Sequence, residues 1–204
     1  MARMPWCVVV PLLIASPLAA QNLVTNGSFN TNVAIWSIPA ASDGSLVHDP
    51  TLDVDGSPAS GSGLLTNVVP VAFGTVAPDQ CIAVTAGQQY YWGGSIRFPV
   101  NETTTGNTAI VVNFFNMAGC TGTELLAVTG TSRDPATAAR GVWHTSNSGS
   151  IAGGTTAPAG SVSALINLLS TRIEADGTRS ANFDGVFFAQ VGTVPVELVG
   201  FEID

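Results

Sequence analysis

Beyond residue 20 the apolar residues of this chain fall in short runs broken by Gly, Ser, Thr, Asn and Pro, and no stretch holds the period of about 3.6 that an amphipathic helix requires. The runs predict strands over residues 64–69, 80–84, 88–98, 109–115, 124–128, 142–148, 162–170, 182–191 and 196–203. Within 88–98 strict alternation puts Tyr90, Trp92, Gly94 and Ile96 on one face, and Tyr91, Gly93, Ser95 and Arg97 on the other. An unpaired arginine is costly to bury, so the face with Arg97 is expected to meet water. The same logic turns Ile110, Val112 and Phe114 inward and leaves Val111, Asn113 and Phe115 on the opposite face, where Asn167 joins them. Segments 41–63, 131–140 and 150–160 are rich in turn residues and read as loops, the first long enough to rim a site. Many strands with turns between them and no helix predict an all-β domain, a sandwich or barrel.

The first 20 residues alter this picture by naming a compartment. Arg3 supplies a positive start, Trp6 to Ile14 an apolar stretch, and Ser16-Pro17-Leu18-Ala19-Ala20 a small-residue end, which together read as a signal peptide cleaved after Ala20. The apolar run is shorter than the roughly 20 residues a membrane span needs. Residues 21–204 then remain, a length suited to one domain. The chain has no lysine, and its net charge is −8, so nucleic acid and anionic membranes are poor partners. Export leaves two cysteines, Cys81 and Cys120, and an oxidising compartment predicts that they pair. Neither they nor the distant His48 and His144 have zinc-ligand spacing.

The string NLVTNGSFNTNVAIWS at 22–37 resembles the first strand of carbohydrate-binding modules with a galactose-binding-like jelly roll, of the cellulose- and xylan-binding type. Three further segments resemble the same modules in the same order: Ala86-Gly87-Gln88-Gln89-Tyr90, then Trp143 with Ala157-Pro158-Ala159-Gly160, then Asn182-Phe183-Asp184-Gly185-Val186. The resemblance covers 22–192 and implies a single jelly-roll β-sandwich over 21–192, with 193–204 as a terminal strand or tail. That tail, Pro195-Val196-Glu197-Leu198 and Phe201, resembles the ends of various secreted bacterial proteins. The resemblance also implies buried positions for Trp36 and Trp143, and a structural calcium with Asp184 as ligand. Asn30 stands where the family often has an acidic residue, which lowers the charge offered to a hard cation.

The resemblance implies a sugar-binding groove on one sheet face, for which Tyr91, Arg97, Asn113, Phe115 and Asn167 are the candidates, with a polysaccharide or another extracellular polymer as partner. The competing reading of the same residues is packing at a core edge, with Arg97 as a solvated charge. Thr51, Asp53, Asp55 and Gly56 imitate the start of a calcium loop, but Ser62 occupies the position of the bidentate glutamate, so this is read as a solvated acidic turn. Neither Gly-x-Ser-x-Gly nor His-Glu-x-x-His occurs in the chain. The expectation is therefore a secreted, non-catalytic binding module without a catalytic cofactor. The alternatives are a structural or adhesive exoprotein and, if Glu102, Glu124 or Glu174 converge, a hydrolase.

Overall fold

A computed structural model describes residues 21–39, 43–56, 60–148 and 154–191. The expected leader, the tail 193–204 and the strand expected at 196–203 lie outside the described residues, which contain eleven strands and no helix. None of the described residues forms a helix long and apolar enough to cross a membrane.

The strands are β1 (Gly44–Asp49), β2 (Ser62–Asn67), β3 (Thr75–Val76), β4 (Asp79–Ala83), β5 (Gln89–Arg97), β6 (Gly106–Met117), β7 (Thr121–Thr129), β8 (Trp143–Asn147), β9 (Thr155–Thr156), β10 (Ser163–Arg172) and β11 (Arg179–Gln190). They form two antiparallel sheets packed as a β-sandwich. One has the order β1-β2-β11-β5-β8, with β9 also on β5; the other has the order β3-β10-β6-β7, with β4 also on β10. Strand β1 falls inside the expected loop 41–63 and β9 inside the expected turn 150–160. Both are edge pieces whose half-exposed, polar residues carry little alternation.

The core is the set of inward positions that alternation assigned. Tyr90, Trp92 and Ile96 of β5 meet Ile110, Val112 and Phe114 of β6 and Ala164, Ile166 and Leu168 of β10, all buried. Tyr90 and Phe188 stack with ring centroids 4.7 Å apart, and the Tyr90 hydroxyl accepts the Thr85 amide at 2.9 Å, so the polar end of the ring is satisfied inside the core. Two arginines are also buried in the sandwich. Arg179 donates to Thr108 Oγ1 and the Thr104 carbonyl, and Arg172 donates to the carbonyls of Val69, Ala175 and Gly177. These acceptors, mostly backbone carbonyls, satisfy most of the buried guanidinium donors, while Arg172 Nε has none among the described residues.

The segment expected to be the first strand is a turn. Asn26 and Phe29 take positive φ, and Asn22–Phe29 makes side-chain and single backbone bonds to β11 in place of a ladder. Asn22 Nδ2 donates to the Val186 carbonyl at 3.0 Å and its Oδ1 accepts the Phe188 amide at 3.0 Å, while the Val186 amide donates to the Gly27 carbonyl at 2.9 Å. Phe29 is fully buried beneath Trp36, whose Nε1 donates to the Asn26 carbonyl. Glycine is required at 27, because a Cβ there would lie 2.0 Å from the Val186 carbonyl oxygen. Gly27→Ala is therefore expected to cost roughly 1–3 kcal/mol in denaturant unfolding, whereas Ser28→Ala, at an exposed neighbour, should stay within about 0.5 kcal/mol of the parent.

Candidate functional site

The outward face of the β3-β10-β6-β7 sheet collects three of the five groove candidates. In β10 the residues out of phase with the core are Leu165, Asn167 and Leu169, and in β6 they are Val111, Asn113 and Phe115. Register aligns them across four strands: Cys81, Leu165, Asn113 and Ala127 form one row, and Phe115 faces Ser163 on one side and Glu124 on the other. Asn167 Nδ2 donates to Asn113 Oδ1 at 2.9 Å, and Asn113 Nδ2 donates to Glu124 Oε2 at 2.9 Å. This hydrogen-bonded line crosses β10, β6 and β7 and fixes the orientation of both amides. Asp79 of β4 stands opposite Asn167; burial pushes its carboxyl up, against a 2.8 Å hydrogen bond from Ser37 Oγ.

A disulfide closes one end of this face. The tip of the β6–β7 hairpin folds over the start of β10, where the Cys120 amide donates to Ser163 Oγ at 3.0 Å and that hydroxyl donates to the Met117 carbonyl. The tip thereby reaches Cys81 on β4, and the expected Cys81–Cys120 bond is present, with Cα atoms 5.8 Å apart. Cys120 has a φ of 54°, a left-handed conformation that turns the chain toward β4.

Tyr91 and Arg97 do not join this face, which corrects the five-residue groove. Both lie on β5 in the other sheet, whose outward side points away from the first. Alternation tells inward from outward along one strand; it does not say which sheet the strand enters. Arg97 sits across from Trp143 and Asn182. Partial burial raises the Asp49 carboxyl, but hydrogen bonds from Thr51 and Asn182 and the charge of Arg97 outweigh it and hold the group below the usual range. Trp36 and Trp92 are buried as expected, whereas Trp143 is half-buried at the outer side of β8.

Asp184 and Asn30, the expected calcium ligands, each bond to the loop between β1 and β2. Asp184 faces outward on β11 beneath the loop after β1, where Oδ2 accepts the Val54 amide at 2.9 Å and Oδ1 the Gly185 amide at 2.7 Å. Asn30 Oδ1 instead accepts the Ser60 hydroxyl at 2.7 Å. Among the described residues, no three His, Cys, Asp or Glu side chains are grouped to hold a metal ion. Burial, reinforced by Asp53 and Asp55, pushes the Asp184 carboxyl up to about 6. The three glutamates do not gather either: Glu124 lies on the sheet face, while Glu102 and Glu174 flank Arg179. Glu124 is the site residue that alternation missed, because a bulge at Phe114/Phe115 shifts its register and brings it opposite Phe115.

No protein-family model matches the sequence, and neither does any curated protein. Solved structures share the fold. The CBM22-1 xylan-binding domain from Paenibacillus barcinonensis superposes with a TM-score of 0.58 at 12% identity, over 85% of this chain and 96% of that one. The C-terminal family 22 carbohydrate-binding module of a Clostridium thermocellum xylanase, described for the role of conserved amino acids in its cleft in ligand binding, gives 0.54 at 16% identity, over 83% of this chain and 94% of that one. The enzymatically active domain of bacteriophage CBA120 tailspike protein 4 gives 0.58 at 16% identity over 83% of this chain, yet the chain spans only 21% of that protein. The architecture is thus the β-sandwich of carbohydrate-binding modules, as the ordered motifs implied.

Two outcomes follow for stability. Replacing Cys81 and Cys120 by serine opens a loop of sequence separation 39 and should lower unfolding free energy by roughly 3–4 kcal/mol, read by denaturant titration. Asp184 has a folded pKa above its unfolded one, so its ionisation opposes folding above about pH 6, and this penalty fades as pH falls toward 4. Thermal melts of Asp184→Asn should therefore gain on the parent at pH 7.5 relative to pH 5, and equal shifts at both values would refute this assignment.

Proposed function

We propose that this chain is an exported, non-catalytic module that binds polysaccharide across the outward face of the β3-β10-β6-β7 sheet. The observation that carries this reading is the line Asn167–Asn113–Glu124 beside the half-buried ring of Phe115. Its internal bonds leave Glu124 Oε1 at the exposed end as an acceptor for a sugar hydroxyl, with the nearly covered Asn167 holding Asn113 in place, while the Phe115 ring offers an apolar surface to C–H groups. The fold shared with xylan-binding domains supports the ligand class, and the leader-like residues 1–20 with the Cys81–Cys120 bond support export. Calcium, implied by the resemblance, has no part in the binding row.

The direct test is retention of residues 21–204 on insoluble xylan and cellulose and on a glycan array. Phe115→Ala and Asn113→Ala should each weaken retention at least tenfold, about 1.4 kcal/mol, while Tyr91→Ala on the opposite sheet should retain it. Retention on no glycan, with self-association in its place, would favour the structural or adhesive reading.

A further inference from the structure

A concavity lies away from the face with Phe115, where the chain leaves β5 and crosses the start of β11. It has a volume of about 230 Å³ and is walled by Pro99, Asn101, Glu102, Thr103, Thr178 and Ser180. Ser180 belongs to the outward side of the six-stranded sheet, since its neighbour Arg179 points into the interior and its hydroxyl lies 3.5 Å from that of Thr66. Glu102 is buried. Its Oε1 accepts the Thr104 amide at 2.8 Å and its Oε2 the Ser180 amide at 2.6 Å. A carboxylate oxygen can accept two hydrogen bonds, so each retains capacity for one more donor.

Glu102 shares the field of the buried Arg179 with Asp134 and Glu174, and Arg140 Nη1 donates to the Glu102 backbone carbonyl at 2.9 Å. Among the described residues no three His, Cys, Asp or Glu side chains are grouped to hold a cation, and an anion would meet the carboxylate. The remaining wall groups, Asn101, Thr103, Thr178 and Ser180, both donate and accept, and Pro99 provides one apolar side. The volume lies below the roughly 300–1,000 Å³ of pockets for drug-sized ligands, a size that suits one small ring.

From these observations we infer that the concavity is a second binding site, taking one neutral polyhydroxylated ring the size of a single sugar, with two ring hydroxyls donating to Glu102. It does not rest on the polysaccharide face, which belongs to the opposite sheet. Glu102 itself is unsuited to substitution, because its oxygens hold two backbone amides; Thr178 is exposed and free to change.

The test is an amide-resolved NMR titration of residues 21–204 with xylose, glucose and, as an acyclic polyol, glycerol. Saturable shifts with either sugar are expected at Thr103, Thr178 and Ser180, with glycerol binding at least tenfold more weakly. Thr178→Phe, which fills the opening, should weaken the response of Thr103 and Ser180 at least tenfold. Shifts confined to the amides around Asn113 and Phe115, unchanged binding in Thr178→Phe, or a glycerol response equal to the sugars would each overturn the inference. Loss of polysaccharide retention by Phe115→Ala with this titration intact would leave the two sites separately established.

Discussion

The pleat of a β-strand sends successive side chains to opposite sides, and a two-sheet sandwich converts that into a rule: whatever is not core is display. Strand β6 shows the rule at work. Ile110, Val112 and Phe114 are fully buried against the other sheet, and this obliges Asn113 and Phe115 to stand outward. Strand β10 repeats it with Ala164, Ile166 and Leu168 inside and Asn167 outside. The amide line of the site is thus coupled to the core beneath it. A register slip of one residue would remove both together.

The inward and outward assignments of β5 and β6 were legible because their alternation is clean, and the disulfide was legible from two cysteines left after a leader-like opening. Sheet membership was not. Tyr91 and Asn113 read alike along their own strands, and only the pairing of β5 with β11 and of β6 with β10 places them on opposite sides. Glu124's partner was hidden for a related reason: a bulge changes which residue meets which, and nothing in the exposed β7, apolar from Leu125 to Val128, announces one. The Asn-Gly-Ser-Phe motif was informative about architecture and misleading about local structure. It forms a turn because Gly27 must pass against the Val186 carbonyl, a demand set by a residue far along the chain.

Polar burial is concentrated where the strands end. Arg172, Glu102 and Asn67 spend their hydrogen bonds on backbone groups, and Arg179 divides its own between backbone carbonyls and the Thr108 hydroxyl, so loops that lack apolar cover are held by side chains. Asn67 donates to the carbonyls of Gly74 and Ser170 and so joins the two sheets at one end. The concavity beside Pro99 is bordered by such a side-chain anchor, Glu102.

The bond from the Leu23 amide to the Phe188 carbonyl, at 2.8 Å, also has a mechanical meaning. It brings the entry of the described fold alongside its exit, so the sandwich can be spliced into a longer polypeptide without spreading its ends apart. A pull applied to both flanks is borne first by the contacts of Asn22 and Leu23 with Val186 and Phe188. The disulfide and the face with Phe115 belong to the other sheet, so the strand that takes the load is β11, whose Val186 and Phe188 anchor it in the packed interior.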